Sequence, residues 1–223
     1  VQPEAMFNGW DYTESVDILN EKSTPTVLKR FDRRLGVHVG KAMGNQFKVD
    51  MSLEGFNNDD YFSNKKVFVS SDTLDQLELE GLKTGLTFSM NDLNRKQYAS
   101  YGKSYSVSAH FFSVRENYTP GNTADESQVE NTASHERFRI KSTAEHYFIK
   151  GWYRPGFYAE AVFSNQEFFS NYFGTIINTP AFFPMQDSRT LVLENFRAYN
   201  YVAFGVRNIF TIKNKLDFRL EGY

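Results

Sequence analysis

The feature that most constrains this chain is a strict two-residue alternation interrupted by tight turns. Leu35, Val37 and Val39 alternate with Gly36, His38 and Gly40. After Gly44-Asn45, Phe47, Val49, Met51 and Leu53 alternate with Lys48, Asp50, Ser52 and Glu54. Successive side chains point to opposite faces of a strand, so each run has one apolar and one polar face; a helix would scramble both. A glycine-containing dipeptide between such runs marks a hairpin. The pattern recurs at Tyr105/Val107/Ala109/Phe111, Phe138/Ile140/Ala144, Phe157/Ala159/Ala161/Phe163, Val202/Phe204/Val206 and Leu216/Phe218/Leu220. Leu77 and Leu79 fall out of phase with Leu82, Leu86 and Phe88, which predicts a bulge near Gly81. Weaker strands are expected at Tyr172–Asn178 and 189–194, giving about ten in all, and the one short helical candidate is 13–22.

Composition narrows the class. The chain of 223 residues carries 22 Phe and 13 Tyr, yet its mean hydropathy is −0.53. A β-barrel with a polar lumen, an apolar outer face and aromatic girdles reconciles the two. A soluble β-sandwich also alternates. Its strands, however, average about five or six residues, whereas runs of about ten suit a tilted membrane strand. Aromatic side chains gather at the expected strand ends (Tyr98, Tyr101, Tyr147, Phe148, Trp152, Tyr153, Phe168, Phe169, Tyr172, Phe173), where half-buried rings with wet polar atoms are favoured.

The connections are asymmetric. Residues 43–46, 151–156 and 213–215 are short, while 57–74 and 115–136 are long and polar. Placing 43–46 on the periplasmic side puts 91–103, 151–156, 179–188 and 213–215 there too. It leaves 57–74, 115–136, 169–171 and 196–200 outside. Every long charged connection then falls on one side, the outer-membrane pattern.

Chemistry is scarce. There is no cysteine, hence no disulfide, thiolate site or cysteine nucleophile. No Gly-x-Ser-x-Gly elbow, phosphate loop or His-Glu-x-x-His occurs. His38, His110, His135 and His146 are dispersed, with His38 and His110 expected to face the lumen. No metal or cofactor is expected. With 25 basic and 27 acidic residues there is no basic stripe for nucleic acid. The inward set is mixed: Lys48, Asp50, Glu54, Arg139, Lys141, Glu145, Glu160, Arg207, Asp217, Arg219 and Glu221. Such a mixture reads as structural pairing rather than the single-sign ring of a selective pore. Asp59, Asp60, Asp125 and Glu126 fit no calcium loop and read as solvated loop residues.

Two stretches resemble known proteins. Asn91-Asp92-Leu93-Asn94, followed by Tyr98-Ala99-Ser100-Tyr101-Gly102-Lys103, resembles the periplasmic turn of the outer-membrane assembly and translocation barrel superfamily, with Ala99 where proline is usual. The stretches Thr179-Pro180-Ala181-Phe182-Phe183-Pro184, Leu193-Glu194-Asn195-Phe196-Arg197-Ala198-Tyr199 and Leu216–Tyr223 are similar to the C-terminal barrel of Bacteroidetes-type patatin-like phospholipases, as is Tyr118-Thr119-Pro120-Gly121-Asn122. The superfamily has an external Arg-Gly-aromatic loop whose arginine enters the barrel. Phe196-Arg197-Ala198-Tyr199 stands in that place, with Ala198 for glycine and a loop that reads as short, which leaves Arg197 as a lumen or a rim residue. The patatin resemblance implies a serine-aspartate lipase elsewhere in the parent chain; neither residue is assigned here.

The expectation is therefore all-β: an antiparallel transmembrane β-barrel segment over 1–223, part of a larger even-numbered barrel because Leu216–Tyr223 alternates without a following partner. It is expected in a bacterial outer membrane, with lipid and other outer-membrane or periplasmic proteins as partners. Arg197, Arg139, Glu145, Arg207, Arg219 and Glu221 are its structural lumen or rim residues. Three functions stay open: the membrane domain of a patatin-like lipolytic protein, a non-enzymatic insertion or secretion barrel, and a passive pore.

Overall fold

A computed structural model describes residues 1–11, 28–63, 71–95, 98–124, 126, 128–148, 151–183, 194–213 and 216–223. The chain is all-β. Its strands are β1 (Gln2–Asp11), β2 (Leu28–Met43), β3 (Phe47–Phe62), β4 (Asp75–Asn91), β5 (Gly102–Thr119), β6 (Asn131–Tyr147), β7 (Tyr153–Ser164), β8 (Tyr201–Lys213) and β9 (Leu216–Gly222). They form one antiparallel sheet in sequence order. β1 had no counterpart in the sequence reading. Nine described strands therefore stand where about ten were expected. The helical candidate at 13–22 lies outside the described residues.

The two faces of the sheet differ as the alternation requires. One row across β2–β6 reads Val37, Leu53, Thr84, Phe111 and Phe138; the next reads Val39, Met51, Leu86, Ala109 and Ile140. These positions face outward, and Val37, Met51, Leu53, Phe111 and Ile140 are exposed. Toward the long-loop end the outward row becomes Arg33, Asn57, Glu80, Arg115 and Ser134. The apolar part thus covers about the length of strand that crosses a bilayer, roughly 9–11 residues. The strands run on past it to 16–18 residues in β2–β6. That extension shortens the connections expected at 57–74 and 115–136.

No bulge interrupts β4. Gly81 pairs with Phe56 on one side and Val114 on the other in unbroken register. The phase change has another cause: Leu77 and Leu79 face inward, both 0% exposed, while Leu82, Leu86 and Phe88 face outward. At the long-loop end the inner face is apolar because something packs on it. Gly81 is needed for a different reason, since a Cβ there would lie 2.1 Å from the Ser113 carbonyl oxygen.

What packs there is α1 (Tyr172–Asn178). A strand was expected at these residues, but Phe173, Ile176 and Ile177 have helical i, i+3, i+4 spacing. They join Phe62, Leu77, Leu79, Phe112, Val114, Tyr118 and Phe169 in the main core. A helix of 7 residues is unstable alone, so its ends and apolar side are supplied by neighbours. Asn171 caps the start, its Oδ1 accepting from Phe173 and Gly174 N–H. Gly174 allows the close approach; a Cβ there would meet Leu77 Cδ2 at 2.4 Å.

The described residues between β7 and β8, 165–183 and 194–200, therefore fold onto the inner face. This corrects the expectation that 179–188 is a turn at the short-turn end, over its described part 179–183. Of the strand expected at 189–194, residues 189–193 lie outside the described residues and Glu194 opens a 3-10 turn (Glu194–Phe196). The described residues contact strands across the whole sheet. Arg30 of β2 donates to Asn178, and Phe182 meets the rings of Tyr158 on β7, Tyr201 on β8 and Tyr223. The sheet curls around this segment as an open, barrel-like wall; β1 and β9 form no ladder with each other among the described residues. At the other end, Leu93 and Ala99 from the connection after β4 pack on the inner face against Tyr147 and Ile209.

Candidate functional site: a cationic cavity on the inner face

Between α1 and the curled sheet lies a cavity of about 710 Å³. The parity that makes one face apolar sends the polar members of β2, β3, β4 and β6 into it. Arg30, Arg34, Lys83, Arg137, Arg139, Lys141 and Arg197 line it, with Glu54 as the one carboxylate among its described lining residues.

Four of these cations are matched by carboxylates. Arg30 Nε lies 2.6 Å from Asp60 Oδ1, and Arg34 Nε 2.8 Å from Asp32 Oδ1. Lys83 Nζ lies 2.9 Å from Glu54 Oε1, and Lys141 Nζ 2.7 Å from Glu160 Oε1. Asp60 is thus a buried strand residue, and Asp59 is buried 3.1 Å from Arg33. The expectation of solvated loop aspartates is corrected for both: the strands extend far enough to fold them in. Asp125 lies outside the described residues.

Arg137 and Arg139 differ. Among the described residues, neither has a carboxylate within ion-pair distance. Both stand over the Phe112 ring, at 4.9 Å and 5.4 Å from its centroid, and Arg137 also stands over Phe169 at 5.6 Å. Arg137 Nη1 donates to Gln166 Oε1, and Arg139 Nη2 makes one long contact of 3.5 Å to the Asn178 carbonyl. The Nε of each is buried without a hydrogen-bond partner.

Arg197 is inside the wall, not on its rim. Its Nη1 donates to the carbonyls of Ile176, Ile177 and Thr179, where α1 ends. The reading of a loop too short to fold inward fails because Arg197 does not depend on that loop's own length: it sits beside the end of α1, which is folded onto the inner face. Tyr172 Oη donates to Glu194 just before Arg197, a bond that raises the phenol's pKa.

The remaining expected residues meet elsewhere on the inner face. Glu145 of β6 accepts from Arg207 Nη1 of β8 and from Tyr147 Oη at 2.7 Å. Arg219 of β9 donates to Glu221, to Tyr147 Oη at 3.0 Å and to the Ala99 carbonyl at 2.7 Å. This network ties three strands to the 92–101 connection and is structural. Not all expected end-of-strand rings form a girdle: Tyr98, Phe148 and Trp152 are exposed, whereas Tyr147 and Phe169 are buried. His38 and His110 face inward, His38 lying 3.2 Å from Glu4. His135 is also inward, 2.6 Å from Glu116, and His146 stacks on Phe148. Among the described residues no group of three or more His, Asp or Glu converges on a possible metal position.

The sequence reading missed Arg30, Arg34, Lys83 and Arg137. A signal existed on β6, where Arg137, Arg139 and Lys141 occupy successive same-face positions, three cations in a row. The cavity is not legible in the inward charges of the face as a whole, because the fold sorts them by height along the strands.

Comparison with known protein families, with characterised proteins and with solved structures finds no match to this chain.

Proposed function

We propose that this chain is a membrane-embedded β-barrel wall from a bacterial outer membrane, the anchoring domain of a patatin-like lipolytic protein. The observation that carries the membrane reading is the outward belt. Leu35 at 71% and Val202 at 82% exposure, together with Met51, Leu82, Phe88 and Phe204, form an apolar surface far too extensive for water. In hydrocarbon the same belt is the favourable arrangement, and the polar row of Arg33, Asn57, Glu80 and Arg115 falls where headgroups begin. Sheet edges are not tolerated in lipid, so on this reading β1 and β9 pair with further strands. Among the described residues no helix is long and apolar enough to cross a membrane, which is silent about strands.

The lipolytic part of the reading rests on the resemblance of the 179–184, 193–199 and 216–223 stretches. Packing of α1 and of 92–101 on the inner face speaks against an unobstructed passive pore.

The membrane reading is tested with brominated lipids. Trp10 and Trp152 are replaced by Phe, and a single Trp is placed at Leu86 or at His110 in the reconstituted full chain. Lipids brominated on the acyl chains should quench the Trp at 86 strongly and the Trp at 110 weakly. Equal or absent quenching at both overturns it. The lipolytic part is tested on the parent gene, which should encode a Gly-x-Ser-x-Gly elbow and an Asp-Gly pair; their absence removes it.

A further inference from the structure

The cavity beneath α1 contains a charge arrangement that the wall does not need. Its other sheet-borne cations each have a carboxylate within 3 Å, as expected where charge leaves water. Arg137 and Arg139 sit side by side on one face of β6, share the Phe112 ring, and have no carboxylate among the described residues. Arg137 is 6% exposed. An uncompensated buried cation is strongly destabilising, and replacing it by an apolar residue is the inexpensive way to build a wall. Arg137 and the half-buried Arg139 beside it, both lining the cavity, are a charge arrangement that an anion in that cavity would balance.

We propose that this cavity binds a phosphate monoester, with Arg137 and Arg139 as the two guanidinium donors. Charge and geometry select the class. A guanidinium presents a planar fork that matches phosphate oxygens, and two guanidiniums balance a dianion. A volume of about 710 Å³ exceeds what an inorganic anion fills, leaving space for the organic part of the ester. Phe112 and Phe183 line the same cavity and offer that part an apolar surface. The assignment stands on the inner-face geometry and does not depend on the lipolytic reading. Two sources share the chemistry: a soluble phosphorylated compound, and the headgroup of a phosphomonoester lipid.

The test uses the full chain in phosphatidylcholine nanodiscs and inorganic pyrophosphate as probe, followed by calorimetry. The wild type should bind saturably. R137Q/R139Q should bind at least tenfold more weakly. K48Q, which removes an inner-face charge paired with Asp50 at the short-turn end, should bind like the wild type. Absence of binding by the wild type, or equal loss in K48Q, overturns the proposal. Should the double variant not fold, phenylglyoxal footprinting of the wild type decides: pyrophosphate should protect Arg137 and Arg139 but not the exposed Arg33, and uniform or absent protection overturns it. Nanodiscs doped with phosphatidic acid then separate the sources. Weakened pyrophosphate binding assigns the site to a lipid headgroup, and unchanged binding assigns it to a soluble phosphate ester.

Discussion

Arg197 Nη1 lies 2.7 Å from the carbonyl oxygen of Ile177, so a residue twenty positions further along the chain supplies the donor that the last turn of α1 lacks. The last carbonyls of a helix have no partner within it. Here one guanidinium nitrogen serves the carbonyls of Ile176, Ile177 and Thr179 together.

Arg197→Ala should therefore loosen α1 without unfolding the sheet. Charge-assisted hydrogen bonds contribute about 1.5–3 kcal/mol, which is large against a seven-residue helix. Hydrogen exchange should quicken by an order of magnitude or more over 172–179 and stay unchanged in β3–β5. Equal acceleration in the strands would show that Arg197 holds the wall itself.

Gly174→Ala should destabilise the same helix by another route. The added methyl would meet Leu77 Cδ2 at 2.4 Å, and Leu77 is fully buried with little room to turn. Overpacking of this kind costs about 1–3 kcal/mol. Leu77→Ala leaves a cavity when made alone, and in combination the two changes should compensate in part. Denaturant titration of the four proteins measures the coupling; strict additivity would place Gly174 and Leu77 out of contact.

A charge in the outward belt should block insertion, whereas one in the polar row should not. Leu86→Lys places an ammonium among Met51, Ala109 and their neighbours, at a cost of about 2–4 kcal/mol near a bilayer midplane. Glu80→Lys, beside Asn57 and Arg115, should be close to neutral. Folded yield in liposomes, read by heat-modifiable gel mobility, distinguishes them. Equal yields would mean that no hydrocarbon covers the belt.

Orientation is decided at the connection between β5 and β6. Thr123 is buried at 4% exposure, so a tag there would disturb packing, whereas Val129 is 70% exposed. An epitope inserted beside Val129 should be labelled on intact cells. Labelling only after the outer membrane is permeabilised would reverse every strand while leaving the sheet as it is.

The local pattern determined a great deal. Leu35/Val37/Val39 and Phe47/Val49/Met51/Leu53 specified two strands, their turn and their outward face, because strand side chains alternate whatever lies beyond them. The same parity put Glu54, Lys141, Glu160 and Arg207 on the inner face. Tertiary structure decided what that inner face meets. Leu77 and Leu79 looked out of phase because the sequence does not say that α1 covers one end of the inner surface and makes apolar residues correct there. Tyr172–Asn178 looked like a weak strand because its β-branched residues favour extended backbone locally. Its helix has a local cap in Asn171 but also depends on the packing of Gly174 against Leu77 and on the distant Arg197, contacts that only the tertiary structure supplies. The cavity follows the same logic. Arg137 and Arg139 lie two positions apart in sequence, but that both stand over Phe112 without a described carboxylate is a property of neighbouring strands and of the segment folded against them. Local periodicity is a property of adjacent residues; charge balance in a cavity belongs to residues that the fold alone brings together.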